Sequence, residues 1–117
     1  MKFMRPLQHP SMDDVRVETI LHALSDPARA AIFANIAGAA ASQTCSGLAC
    51  AVDQAIPKSS LSQHFKVLRE AGLIRSERQG VELRNTSRCA EVQERFPGLV
   101  AAIINAHAIE AKARTDA

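Results

Sequence analysis

The chain has 117 residues, enough for one domain with its own core and too few to divide comfortably into two. Hydrophobic residues make up 47% and charged residues 22%, which excludes a disordered chain; with no Trp, no Tyr and four Phe, the core must come from Ala, Leu, Ile and Val, as in closely packed helices. The net charge of +2 is unevenly spread: Lys58 to Arg88 holds seven Lys/Arg against three Glu, while the remainder holds seven basic against nine acidic residues. A basic middle of this kind suits a phosphate-binding module, and a solvated mixed-charge surface gives similar counts.

No apolar run approaches the roughly 18 residues of a membrane span, and the opening MKFMRPLQHPSMDD lacks the apolar segment of a secretory signal. A cytoplasmic protein without a membrane partner is expected. Cys45, Cys50 and Cys89 form an odd set, which in a reducing compartment reads as free thiols rather than a disulfide framework.

Residues 1–12 carry two prolines and no period, so they are expected as a flexible arm or a short helix. Val17, Ile20, Leu21 and Leu24 recur at helical spacing behind Asp13 and Asp14, which predicts a first helix over 13–24. Asp26 is placed to cap a second helix with Pro27 at its first position, running to about Ala37 and burying Ala30, Ala31, Ile32, Phe33, Ile36 and Ala37. The small, polar stretch 39–44 is expected as a loop, and Leu48 and Val52 suggest a short third helix over 45–52. The strongest helical pattern runs from Lys58 to Ala71, with Leu61, Phe65 and Leu68 on one face and Gly72 at its end. Beyond it, 73–78 and 81–85 alternate around Gln79-Gly80 as a β-hairpin, helical character returns from about Ser87, and Pro97 is expected to start a long closing helix. The expected architecture is mainly α with a small β-hairpin, in the order α-α-α-α-β-β-α, with the domain spanning 13–113 and residues 114–117 frayed.

A short helix, a turn, a second helix with a polar start and then a two-stranded hairpin is the layout of a winged helix-turn-helix. The second helix of such a unit fits the major groove of duplex DNA and offers short polar side chains to base edges. Here those positions are Lys58, Ser59, Ser60, Ser62, Gln63 and Lys66; Gln63 can pair with adenine, the serines reach bases or phosphates, and the lysines supply charge. The hairpin adds Arg75, Arg78, Gln79 and Arg84 beside a slim glycine turn. The same pattern also fits an α+β surface carrying solvated charges.

The run from Ser60 to Arg75, SLSQHFKVLREAGLIR, resembles the recognition-helix signature of ArsR-type regulators, and Leu21 to Arg29, LHALSDPAR, resembles their junction between helices one and two. The likeness extends from about Val17 to Ile104. It implies a homodimer that binds double-stranded DNA and represses until a metal ion, a small molecule or thiol oxidation releases the operator. It also places His64 where the family often has a histidine beside DNA, the alternative being a helix-stabilising contact with no base. Aromatic residues common in the family's second wing strand are replaced here by Val81, Glu82 and Leu83, which puts the wing contacts in doubt.

A dimer would draw on an apolar closing helix and helix one, with Leu21, Leu99, Val100, Ile103, Ile104 and His107 as candidates; burial inside the monomer is the alternative. The family's thiol metal sites usually use a Cys-x-Cys pair, whereas Cys45 and Cys50 are separated by four residues and only Cys89 remains as a third sulfur. Those three residues are candidate thiol sensors, or else small buried apolar groups. His107 and Glu110 resemble half of the family's zinc site, but the other half would fall near Glu94 and Phe96, and phenylalanine binds no metal. No cofactor is therefore assigned, and the inducer is left open. With no phosphate loop, Ser-His-Asp set or paired carboxylates, the chain is not expected to be an enzyme. A winged-helix protein-interaction module without specific DNA binding is the competing reading.

Overall fold

The computed structural model describes residues 7–38, 43–44 and 57–116. A single 3-10 turn (Met12–Asp14) leads into helices α1 (Val17–Ser25) and α2 (Pro27–Gly38), strand β1 (Gln43–Thr44) and helix α3 (Lys58–Glu70). Strands β2 (Ile74–Gln79) and β3 (Glu82–Ser87) and helices α4 (Cys89–Arg95) and α5 (Leu99–Asp116) complete the chain. This is the expected mainly helical winged-helix architecture. The expected third helix over 45–52 lies outside the described residues. No described helix is long and apolar enough to cross a membrane.

The core gathers Val15, Ile20, Leu24, Ile32, Phe33, Ile36, Leu61, Phe65, Leu68, Leu73, Ile74, Val92 and Val100, so all five helices and the sheet share one apolar interior. Two sequence signals set the frame of helices α2 and α3. The Asp26 carboxylate accepts from the backbone N–H groups of Ala28 at 2.8 Å and Arg29 at 3.1 Å, capping α2 behind Pro27. At the far end of α3, the N–H of Gly72 donates to Arg69 O at 3.1 Å and that of Leu73 to Leu68 O at 3.0 Å. This paired closure needs a left-handed residue, and Gly72 supplies it with φ +81°.

The structure departs from the sequence expectation in several places. Helix α1 starts at Val17 rather than Asp13, because Val15 turns extended and drops into the core, leaving Asp13 and Asp14 in the preceding turn. Gln43 and Thr44, expected in a loop, pair antiparallel with Asn85 and Arg84, so the hairpin becomes a three-stranded sheet in the order β1-β3-β2. The closing helix starts at Leu99, not Pro97: α4 stops at Arg95, and Gly98, with φ +82°, donates its N–H to Gln93 Oε1 at 3.0 Å in the turn between them. Ala37, expected inside, is exposed, while Arg29 on the same helix is buried.

Residues 7–12, placed by sequence in a flexible arm, cross the sheet and α4. His9 Nε2 accepts from the Ser76 N–H at 2.9 Å, Pro10 O accepts from Arg88 Nη1 at 2.8 Å, and Met12 O accepts from Arg95. At the other end, α5 stays helical through Asp116, beyond the expected limit at 113.

Candidate nucleic-acid interface

Helix α3 divides cleanly into two faces. Leu61, Phe65 and Leu68 are buried against the core, and that anchor leaves Ser59, Ser62, Gln63 and Lys66 exposed along the opposite side, with Ser60 and His64 at the boundary. Of the helix residues singled out by sequence, only the Lys58 side chain lies outside the described residues. The row is polar, short-chained near the helix start and carries no acidic residue until Glu70. Chemically it offers hydroxyl and carboxamide groups able both to donate and to accept, plus a cation to one side.

The wing is built on a strict register from Ile74↔Ser87 to Gln79↔Glu82, leaving Gly80 and Val81 as a two-residue turn. Gly80 has φ +65° and Val81 does not share the left-handed conformation, the pattern of a type II′ hairpin turn. Arg75, Arg78 and Gln79 are exposed and Arg84 half-buried. Their charges are partly answered on the protein: Arg75 lies 3.6 Å from Glu91, and Arg84 donates to Glu82 at 3.0 Å. Exposed pairs of this kind are weak, worth at most about 1 kcal/mol, so a phosphate can compete for either guanidinium. The tip itself is apolar, with Val81 fully exposed.

Five polar residues that hold the wing and α3 in place were not singled out by their sequence pattern. Ser76 Oγ donates to Asn85 Oδ1 at 2.7 Å inside the sheet, and Arg69 reaches Ser76 from α3 at 3.5 Å. Arg88, 5% exposed, binds Glu91 Oε2 at 2.7 Å and the carbonyl of Pro10. Arg29, 8% exposed, donates to Ala23 O at 2.5 Å and His22 O at 3.2 Å, and its third contact, at 3.4 Å, is His64 Nδ1 on α3. Only Arg29 left a signal, at the inward helical spacing of Phe33 and Ile36, and counting apolar residues alone passes over it.

Electrostatics follow these contacts. Burial pushes the Asp26 carboxyl up, but the N–H groups of Arg29 and Ala28 and the positive charge of Arg29 outweigh it, holding the group below its ordinary value. The bond from Arg88 draws Glu91 down, against a smaller effect of burial and with help from the charges of Arg88 and Arg75. Burial lowers His9, and the neighbouring Arg75, Arg69 and Arg88 lower it further, against a backbone contact at Leu7. A neutral His9 is what its acceptor role toward Ser76 requires.

The candidate dimer residues fall into three groups. Val100 is buried in its own chain's core, while Leu99, Ile103 and Ile104 pack partly against it. His107 Nε2 lies 2.6 Å from Leu24 O, so that nitrogen carries its proton and is occupied within the chain. Leu21 is 47% exposed, and sequence reading omitted Ile109, which is 61% exposed on the exposed second half of α5. Among the candidate thiols, Cys45 and Cys50 lie outside the described residues. Cys89 is a free, half-buried thiol at the start of α4, and burial pushes its pKa up, away from the thiolate form that reacts. Among the described residues no group of three His, Cys, Asp or Glu side chains is placed to hold a metal ion.

A family model described as a helix-turn-helix domain matches residues 24–77, which run from the end of α1 through α3 into β2. No curated protein matches the sequence. Among solved structures, the chain is similar to an ArsR-like transcriptional regulator from Rhodococcus sp. RHA1, with 24% identity, 85% of each chain covered and a TM-score of 0.56. It is also similar to an ArsR family transcriptional regulator with 21% identity, covering 94% of this chain and 98% of that one, at a TM-score of 0.54. Residues 24–77 thus match a helix-turn-helix domain, within a chain that has the winged-helix fold of these two regulators.

Proposed function

We propose that this protein is a sequence-specific DNA-binding transcriptional regulator, acting as a homodimeric repressor that an inducing signal releases from its operator. The observation that carries the DNA-binding reading is the exposed row Ser59, Ser62, Gln63 and Lys66 on a helix whose opposite side is locked into the core. A helix anchored in this way presents its polar side chains at fixed spacing, as major-groove reading requires. The basic wing beside it adds phosphate contacts that fix register without reading sequence.

Dimerisation is supported by Leu21 and Ile109, large apolar side chains exposed on α1 and α5, and by the need of a single reading helix for a second half-site. Repression and inducer release rest on the resemblance to ArsR-type regulators. The test is enrichment from a random-sequence duplex pool, followed by a reporter placed behind the selected site. Selection of a two-fold-symmetric sequence and reporter repression support the reading, and reduced, oxidised and zinc-supplemented protein in the same assay separates thiol, metal and organic inducers. Failure to enrich any sequence favours the protein-interaction module instead.

A further inference from the structure

Arg29 stands apart from the other buried polar groups because it connects the α1–α2 junction to the reading helix itself. Its guanidinium spends two donors on the carbonyls of Ala23 and His22, at 2.5 and 3.2 Å, and these bonds fix the plane of the group. The remaining edge faces His64 Nδ1 at 3.4 Å. Guanidinium has donors only and stays protonated at any working pH, so it meets a ring nitrogen only where that nitrogen offers a lone pair. The neutral imidazole then carries its proton on Nε2, on the ring edge turned away from Arg29. His64 is half-buried, one residue after the exposed Gln63 and two before the exposed Lys66.

We infer that Arg29 is a positioning residue that fixes the tautomer and orientation of His64, so that His64 meets DNA as an Nε2–H donor toward an acceptor atom of the duplex. This rests on the DNA-binding reading above for the identity of the partner, but the tautomer is a property of the free protein. It also gives Arg29 a role distinct from closing the α1–α2 junction, since the carbonyl bonds alone would do that.

The first experiment is long-range proton–nitrogen NMR on the full, DNA-free chain with labelled histidine at about pH 8, above the ordinary imidazole range. The expected spectrum has the His64 proton on Nε2 and Nδ1 as a hydrogen-bonded acceptor, with that hydrogen-bond signature lost in Arg29→Met. A proton on Nδ1, or an Nδ1 signal indifferent to Arg29, overturns the inference whether or not the protein binds DNA.

The second uses the half-buried His64, where substitution leaves the core in place, on the duplex enriched by the wild-type protein. His64→Gln carries an amide donor to the Nε2 position and is expected to bind within about threefold of wild type, whereas His64→Asn, which reaches only as far as Nδ1, should lose about tenfold or more, the scale of one charge-assisted hydrogen bond. Equal losses in the two variants overturn it. Arg29→Lys should weaken binding in the wild-type background and have under twofold effect in His64→Ala; the same loss in both backgrounds makes Arg29 purely structural.

Discussion

Replacing Gly72 by alanine tests how helix α3 is fixed to the rest of the fold. Gly72 sits at φ +81°, and a β-carbon added there would lie 2.4 Å from Val15 Cγ2, inside any tolerable contact. The left-handed backbone costs an alanine about 1–2 kcal/mol, and displacing a buried, well-packed valine costs about 1–3 kcal/mol more. The expected loss is therefore about 2–5 kcal/mol, a large share of the 5–15 kcal/mol typical of a domain. Urea unfolding measures it as a lower midpoint at unchanged slope. Val15→Ala removes the clashing methyls, so Gly72→Ala in that background should retain the backbone cost and lose at least about 1 kcal/mol of the rest. A loss below about 1 kcal/mol for the single variant, or strict additivity of the pair, would refute the reasoning.

Asp26→Ala removes the α2 cap and should destabilise the fold by about 1 kcal/mol, read in the same unfolding experiment; Asp26→Asn, which keeps the acceptor oxygen, should recover most of it. The depressed pKa of His9 means the unfolded chain takes up its proton first as pH falls. The contribution of the His9 contact is thus fully present above the ordinary imidazole value and is lost as pH drops through the lower folded value. Hydrogen exchange at the Ser76 amide should rise relative to its pH-matched intrinsic rate over that window in wild type, and stay uniformly fast in His9→Ala. Arg78→Ala, at an exposed site with no partner among the described residues, should lower affinity for all duplexes alike and reduce the salt slope by about one.

The parts of this fold visible from sequence were those written in residues with few conformational options. Asp26-Pro27 announces a helix start because Pro supplies no N–H and Asp accepts two, and Gly72 announces a helix end because few other residues adopt its φ. The exposed face of α3 could be read from the spacing of Leu61, Phe65 and Leu68, which assigns the residues between them to the other side.

Elements decided by tertiary contact were hidden. Val15 lies off the Ile20–Leu24 face of any continuous helix, and it is buried in the common core beside Gly72 only because the chain breaks before α1. Gln43 and Thr44 carry no strand pattern of their own and are ordered by pairing to β3. Arg29 and Arg88 read as surface charges because burial of an arginine depends on carbonyls and carboxylates brought in from elsewhere in the chain, as Ala23, His22, Pro10 and Glu91 are here. Ser76 and Asn85 escaped for the same reason: inside the sheet the two side chains hydrogen-bond to each other.

The most direct test of the central claim is a titration of two labelled duplexes, the pool-selected sequence and a scrambled one of equal length, with wild type and Gln63→Ala at several salt concentrations. The account predicts that wild type prefers the selected duplex by about a thousandfold or more, and that affinity for both falls with salt. Gln63→Ala should lose most of that preference while its dimerisation, measured by sedimentation, is unchanged. Equal weak binding of both duplexes by wild type, or an undiminished preference in Gln63→Ala, would contradict it.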